Sequence, residues 1–250
     1  MYSGCPRGAF HRVAAIAIML SPLLYPAVAL CFCLQPNPPR VCTEFFAADA
    51  VFTGNVSSVR YLPQGLPGHD PGWLYRLKVL NMYRGPSKSS IQVYTENNSA
   101  RFRLDKDQTY LLFAYKGDNV LEIYGCGNSS KLRQAGATLN QVREVLQRQR
   151  SRAGGSISGR IEPETGESAD MAGIRVQAQS GNRVYQTLTR TNGSFDLHVQ
   201  PGKYTLRAET QTWKVRPYDL SFSRPDDILI SGGGCADVIF HATPAATSDR

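Results

Sequence analysis

Apolar and polar residues alternate in short segments along most of the chain, a period of two that predicts half-buried β-strands. Turn signals separate these segments, among them a loop from Pro63 to Gly72 and the turn Arg84-Gly85-Pro86. The run from Tyr110 to Phe113 is apolar throughout, which favours a central strand. In the first half of the chain the predicted strands cover residues 47–61, 73–83, 91–95, 108–115 and 120–124.

The periodicity then changes to that of a helix, predicted between Thr138 and Gln149. Thr138 is spaced as an N-cap and Gln141 as its capping-box partner. Arg148 and Arg150 lie near the C-terminal end, where cations suit the helix dipole. Four apolar residues share one face of this helix: Leu139, Val142, Val145 and Leu146.

A second β region follows, in which turns separate short strands at intervals of about ten residues, a rhythm that predicts a small antiparallel sandwich. Asn192-Gly193 is predicted to supply the positive φ of a tight hairpin. Phe195, Leu197 and Val199 should face the core. A longer loop is predicted around Trp213 and Tyr218. Strands in this region are predicted around residues 157–161, 174–176, 184–188, 195–199, 204–207, 227–230 and 235–241.

The N-terminus has the pattern of a secretory signal peptide. Arg7 and Arg12 precede an apolar core at residues 13–20, and Ala27-Val28-Ala29 is a small-x-small cleavage site. A lipoprotein anchored at Cys31 is the alternative, but Leu30 precedes it where a small residue is preferred. We expect a protein that is secreted or periplasmic, at the cell envelope, with no transmembrane segment in the mature chain.

Composition supports an ordinary globular protein of one or two domains. The chain has 250 residues, of which 42% are hydrophobic and 19% charged. The net charge of +8 comes from scattered basic residues. A nucleic-acid partner is therefore not expected, and the Arg-rich end of the helix is interpreted as a solvated surface.

The cysteines indicate disulfide chemistry. The predicted mature chain holds an odd number of them, so at least one is free, lipidated or intermolecular. A zinc cluster is disfavoured, because Cys31-x-Cys33 has no second pair at metal-ligand spacing. Cys235 follows three glycines and could be a reactive thiol or pair with Cys31 or Cys42. Cys31, Cys42 and Cys235 are thus left as possible disulfide partners or free thiols.

Residues 30–150 resemble the netrin-like domain, an OB-type barrel also used by the tissue inhibitors of metalloproteinases. The matching features are Cys31-x-Cys33, Cys42, the strand Ala48–Gly54, the strand end Tyr83-Arg84-Gly85, and Tyr110–Ala114 leading to Gly125-Cys126. The resemblance implies a Cys33–Cys126 disulfide. It also implies that Cys31 could chelate a protease zinc and Phe32 could enter a specificity pocket.

Residues 156–242 resemble the carboxypeptidase regulatory-like, or transthyretin-like, sandwich. The resemblance rests on Thr189–Phe195 and on Pro201–Leu206. It implies a non-catalytic accessory module. The predicted domains are a signal peptide at 1–29, the netrin-like domain at 30–150, a linker at 151–155, the sandwich at 156–242 and a mobile tail at 243–250.

The fold class expected from these patterns is mainly β: an OB-type netrin-like barrel with one C-terminal helix, then a small antiparallel β-sandwich. No catalytic, cofactor-binding or metal-binding residue is predicted, because His69, His198 and His241 lie in no recognisable hydrolase setting. Aromatic residues could line a ligand groove of the barrel, with core packing as the alternative: Tyr75, Tyr83, Tyr94 and Phe102.

We therefore expect a secreted, non-enzymatic binding or interaction protein of the cell envelope or extracellular space. Its partner would be a protein or carbohydrate ligand at the cell surface. The alternative is a metalloprotease inhibitor that acts through Cys31 and Phe32 at the mature N-terminus.

Overall fold

The computed structural model describes residues 39–151, 154–165, 169–218 and 223–245. Within these ranges the chain is mainly β, as predicted. The first part forms a barrel with flanking helices. Its elements are α1 (Val41–Ala47), β1 (Ala50–Leu62), β2 (Gly72–Arg84), β3 (Ser90–Glu96), β4 (Thr109–Lys116), β5 (Leu121–Glu122), β6 (Ser130–Lys131), a 3₁₀ helix (Leu132–Gln134) and α2 (Gly136–Arg150).

The sheet of this first part closes on itself. Its strands follow the order β1-β2-β3-β5-β4, and β4 pairs back onto β1. Every pair in this ring is antiparallel except β3 with β5. The five strands therefore form a small closed β-barrel. Its interior is filled by large side chains, including Phe52, Tyr75, Leu77, Leu112 and Ile123.

Strand β4 is central, as its apolar run predicts. Leu112 points into the barrel core, whereas Leu111 and Phe113 pack outward against the helices. Alternate residues of β4 therefore face two different apolar environments, which explains why the run has no polar position. Helices α1 and α2 cover this outer face through Phe45 and Val142.

Helix α2 confirms the predicted helix but begins earlier than the capping pattern indicated. It starts at Gly136, and Ala135 occupies the N-cap position without a side-chain hydrogen bond. The prediction of Thr138 as the N-cap is wrong because the 3₁₀ turn at Leu132–Gln134 leads directly into the helix. Helix α1 was not predicted at all, so the barrel has two α-helices rather than one.

The second part is a sandwich of two four-stranded sheets, ordered β10-β7-β14-β12 and β13-β11-β8-β9. Its strands are β7 (Gly155–Pro163), β8 (Arg175–Ser180), β9 (Arg183–Leu188), β10 (Ser194–Val199), β11 (Gly202–Glu209), β12 (Trp213–Pro217), β13 (Ile228–Ile230) and β14 (Cys235–Pro244). Both sheets contribute to one apolar core, and the predicted inward positions Phe195, Leu197 and Val199 are buried in it.

Two features of the sandwich differ from the sequence expectation. Strand β14 pairs with β7 in parallel, so the sheets are not wholly antiparallel. The segment from Trp213 to Pro217, predicted as part of a loop, is strand β12, which pairs with the end of β14. Trp213 and Val215 pack against the core while Lys214 and Arg216 are exposed, and five residues of alternation are a weak signal for a strand.

Gly193 has the positive φ that its hairpin predicted. Its φ is +76°, and a Cβ atom there would lie 2.1 Å from the carbonyl oxygen of Ile161. Gly181 also has a positive φ, +57°, but an added Cβ would have no heavy atom within 4 Å. Both glycines have a positive φ, but only Gly193 is crowded by a neighbouring backbone atom. A comparison of the two therefore distinguishes the cost of the backbone conformation from the cost of the steric overlap.

We predict that Gly193→Ala lowers the free energy of unfolding by about 3 kcal/mol or more, since strain and overlap add. Gly181→Ala, the matched control, should cost only about 1 kcal/mol for the left-handed conformation. Urea unfolding of the two variants measures the difference. Equal losses would show that Ile161 does not crowd Gly193.

Candidate functional site at the junction of barrel and sandwich

Helix α1 is covalently joined to the sandwich. Cys42, in α1, forms a disulfide with Cys235, the first residue of β14, across 193 residues of sequence. The two Cα atoms are 6.1 Å apart. Thr43 places its hydroxyl 3.6 Å from the Cys235 sulfur. The structure thus selects one of the alternatives that the sequence left open for Cys42 and Cys235.

The side chain of Arg40, the residue just before α1, contacts β14, the strand that begins with Cys235. Its Nε lies 2.6 Å from Oδ1 of Asp237, and its Nη1 donates to the Ser158 hydroxyl at 2.7 Å. Nη2 donates a longer bond, 3.4 Å, to the Ala236 carbonyl. Ser158 in turn donates to Asp196 at 2.5 Å. The guanidinium fork therefore binds three groups of the sandwich, a geometry that Lys could not reproduce.

Asp237 depends on Arg40 for compensation of its charge. Its side chain is only 7% exposed, and burial raises its pKa, while the Arg40 charge opposes that rise. Oδ2 of Asp237 is buried and has no hydrogen-bond partner among the residues that the structure describes. Removal of Arg40 would leave a buried carboxylate unpaired, which is among the more costly defects in a protein interior.

The barrel holds α1 through Glu44. The Tyr115 hydroxyl donates to Oε1 at 2.8 Å, and the Asn128 backbone N–H donates to Oε2 at 2.7 Å. The Asn128 side-chain amide donates to both Oε2 and the Pro39 carbonyl. Burial raises the pKa of Glu44, and the bonds from Asn128 and Tyr115 partly offset that rise. Gly127 leaves room for the carboxylate, since an added Cβ would lie 2.1 Å from Oε1.

A third contact joins α2 to the sandwich. The turn before Cys235 contains Gly233, whose φ is +69°. A Cβ atom at this position would lie 2.7 Å from the backbone of both Arg148 and Gln149 at the end of α2. Gly233 thus permits a close approach of this turn to α2. The reactive-thiol interpretation of Cys235 is wrong because its sulfur is committed to Cys42.

The remaining cysteine predictions fall mostly outside the described residues. Cys31, Phe32 and Cys33 lie there, so the protease-contact assignment of Cys31 and Phe32 stays a prediction. Cys126 is disulfide-bonded. Its pairing with Cys33 stays a prediction as well.

The histidines do not form a hydrolase site in the described parts of the chain, where no hydroxyl or thiol donates to a histidine. His69 places Nδ1 3.4 Å from Glu122 and 3.7 Å from Glu96, and its ring packs edge-on against Tyr94. His198 is exposed on the sandwich, and His241 stacks on an aromatic ring 4.2 Å away. Among the described residues, no three His, Cys, Asp or Glu side chains are grouped so as to hold a metal ion.

Three of the aromatic candidates for a ligand groove belong to apolar clusters, and the fourth, Tyr94, is buried. Tyr75 and Tyr94 are fully buried in the barrel. Phe102 packs against the barrel core, and Tyr83 packs against the cluster below the helices. Core packing, the alternative that the sequence left open, accounts for these four rings.

Sequence reasoning missed the polar groups of the junction. The sequence pattern gave Arg40 no role and placed Asp237 only in a strand. Asn128 opens an Asn-x-Ser pattern, but here its side chain holds Glu44. The one usable signal was the isolated Cys235, which already pointed towards a bond with the N-terminal cysteines.

The fold and the junction define a β protein in which a closed barrel and a β-sandwich are joined through α1 and the end of α2. Residues 153–227 match a protein family described as "BOS complex subunit NOMO1-like, second beta sandwich domain". This match covers part of the sandwich and ends just before β13. No curated protein matches the chain. Across the described ranges, no helix has the length and apolar character needed to cross a membrane.

We predict that Glu44→Gln reduces the pH dependence of stability. The folded-state pKa of Glu44 is raised above its ordinary value of 4.5, so its contribution to stability is full below that value. This contribution is lost as pH rises through the folded pKa. Urea unfolding from pH 4 to pH 7 should show a smaller decline in the variant than in the wild type.

Glu144→Gln provides the matched control, because Glu144 is exposed on α2. Its stability curve should run parallel to that of the wild type. A Glu44→Gln curve that is also parallel would show that the Glu44 carboxyl has the same pKa in the folded and unfolded chains.

Proposed function

We propose that the chain is a secreted, non-enzymatic binding protein in which the barrel and the sandwich act as one body. The observation that carries this proposal is the Cys42–Cys235 disulfide. Structural disulfides form and persist in oxidising compartments outside the cytosol. The signal-peptide pattern at residues 1–29 predicts export to such a compartment.

A joined body suits a protein that presents surfaces to a partner. The ion pair between Arg40 and Asp237 and the disulfide beside it restrict motion between the two parts. Relative motion of domains is otherwise the default when few contacts cross between them. Fixed geometry lowers the entropy lost on binding, because the binding surfaces are already in place.

The family that matches residues 153–227 supports a role in interaction. Its description names a subunit of a complex and assigns the matched part to a β-sandwich. A β-sandwich domain within a subunit of a complex is consistent with a binding role rather than a catalytic one. We carry over only this general role, since the match covers less than a third of the chain.

The domain division follows the same proposal. We assign residues 30–150 to a netrin-like domain, supported by the barrel topology and by α2 packed on its outer face. The accessory sandwich, predicted at residues 156–242, has strands from Gly155 to Pro244, and we interpret it as carboxypeptidase regulatory-like. The linker predicted at 151–155 therefore ends before Gly155, and the tail predicted at 243–250 begins only after Pro244. The junction at α1 then connects two domains rather than two parts of one.

Peptide mapping of the full chain, secreted from a eukaryotic host and kept unreduced, tests this proposal. We expect a disulfide-linked peptide pair containing Cys42 and Cys235, and a mature N-terminus at Leu30. Cys42→Ser with Cys235→Ser should lower the free energy of unfolding by up to about 5 kcal/mol, because a loop of 193 residues is released in the unfolded chain.

Alkylation before reduction provides the control. Cys42 and Cys235 should resist the reagent until the protein is reduced. Retention of the chain inside the cell, or modification of Cys42 without reduction, would contradict the proposed compartment and the joined body.

A further inference from the structure

A basic groove lies on the outside of the barrel and shares no lining residue with the junction. It is lined by Ser57, Ser58, Arg60, Leu74, Arg76 and Gln92, which we call the arginine groove, and it encloses about 440 Å³. Strands β1, β2 and β3 supply these residues side by side. Ser58 pairs with Arg76 across the sheet, and Arg76 pairs with Gln92.

An irregularity in β1 creates the polar side of this groove. The pairing register shifts between Val56 and Ser58, so Ser57 is an extra residue in the strand. Both Ser57 and Ser58 are exposed as a result, although neighbouring strand residues normally point to opposite faces. The Ser57 hydroxyl donates to the Arg76 carbonyl at 3.0 Å, which fixes the bulge.

Basic residues dominate the two strands that carry the arginines of the groove. Strands β1 and β2 contain no Asp or Glu and four basic residues, Arg60, Arg76, Lys78 and Arg84, whereas β3 ends at Glu96. Arg84 is used structurally, since its guanidinium donates to the carbonyls of two residues near α1. Arg60 and Arg76 form no ion pair within the described ranges, and both are exposed. Two exposed guanidinium groups without internal partners are suited to an anionic ligand.

We propose that the arginine groove binds an acidic oligosaccharide, one that carries sulfate or carboxylate groups. Two arginines would bind the anionic groups. Ser57, Ser58 and Gln92 offer neutral donors and acceptors for sugar hydroxyls. The half-buried Leu74 gives an apolar patch for the C–H face of a sugar ring.

The same lining disfavours single-stranded nucleic acid, the other common polyanion. Proteins that bind it combine a basic groove with exposed aromatic rings on which bases stack. No aromatic side chain lines the arginine groove. Tyr61, the exposed aromatic residue next to Arg60, packs its ring against Trp73 instead, and Tyr75 and Tyr94 are fully buried. A carbohydrate ligand also agrees with a chain that forms disulfides outside the cytosol. This inference rests on the proposed function and names the ligand class and its site.

Titration calorimetry on the full disulfide-bonded chain tests the groove. The probes are a heparin hexasaccharide, a non-sulfated uronic acid hexasaccharide and neutral maltohexaose. We expect the two acidic probes to bind, with affinity falling as salt rises, and the neutral probe not to bind. The tighter acidic probe identifies sulfate or carboxylate as the preferred group.

Arg60→Gln with Arg76→Gln should weaken binding of the acidic probe roughly tenfold, since each exposed ionic contact contributes a few-fold. Ser58→Glu, which places a negative charge in the groove, should weaken it by a similar factor. Arg143→Gln with Arg207→Gln removes the same charge elsewhere from exposed positions and should change affinity by less than about twofold.

Three results would overturn the proposal: equal binding of maltohexaose, undiminished binding by the groove variants, or tighter binding of a single-stranded oligonucleotide of equal charge that needs the same two arginines. None of these results would alter the disulfide map or the secretion of the chain. Failure of the groove is therefore distinguishable from failure of the proposed function.

Discussion

Helix α1 is too short to be stable by itself, and the arrangement of the whole molecule depends on what holds it. Isolated helices of seven residues do not persist in water, because nucleation costs more than a few hydrogen bonds return. Glu44 fixes α1 to the barrel, while Arg40 and Cys42 fix it to β14. The disulfide and the ion pair both connect α1 to β14. If one of them is lost, the other still holds the helix against that strand.

The polar groups of the junction show that this contact is specific rather than merely apolar. Asp237 and Glu44 are both buried acids whose pKa values are raised by loss of water. Burial of charge opposes folding unless partners are well placed, and Arg40 and Asn128 are those partners. Such groups favour one arrangement of barrel and sandwich, since any shift would leave a buried carboxylate without its donors. Strand β14 lies between β7 and β12 inside its sheet, so the contacts of α1 with β14 fix the position of the whole sheet.

Much of the fold could be predicted from local pattern. Alternation located most strands, and Gly193 and the apolar face of α2 followed from turn chemistry and helical spacing. The start of α2 was misplaced because a 3₁₀ turn, not a capping side chain, precedes it. Strand β12 was missed because its apolar residues are few. Its partner, the end of β14, is distant in sequence.

The candidate sites were harder to predict for a physical reason. Arg40 and Asp237 meet only after both the barrel and the sandwich have folded, and nothing in their local sequence marks them as partners. The arginine groove depends on a one-residue bulge at Ser57 that turns two serines to the same face. Register between strands is set by pairing across the sheet, so sequence alone showed only scattered basic residues.

The central claim is that α1 and its disulfide hold the barrel and the sandwich as one body. Residual dipolar couplings of backbone amides in the oxidised protein test it most directly, because they report the orientation of each part independently. One alignment tensor should fit the couplings from both parts of the chain. Two tensors that differ in magnitude or orientation would show that the parts move independently and would contradict the account.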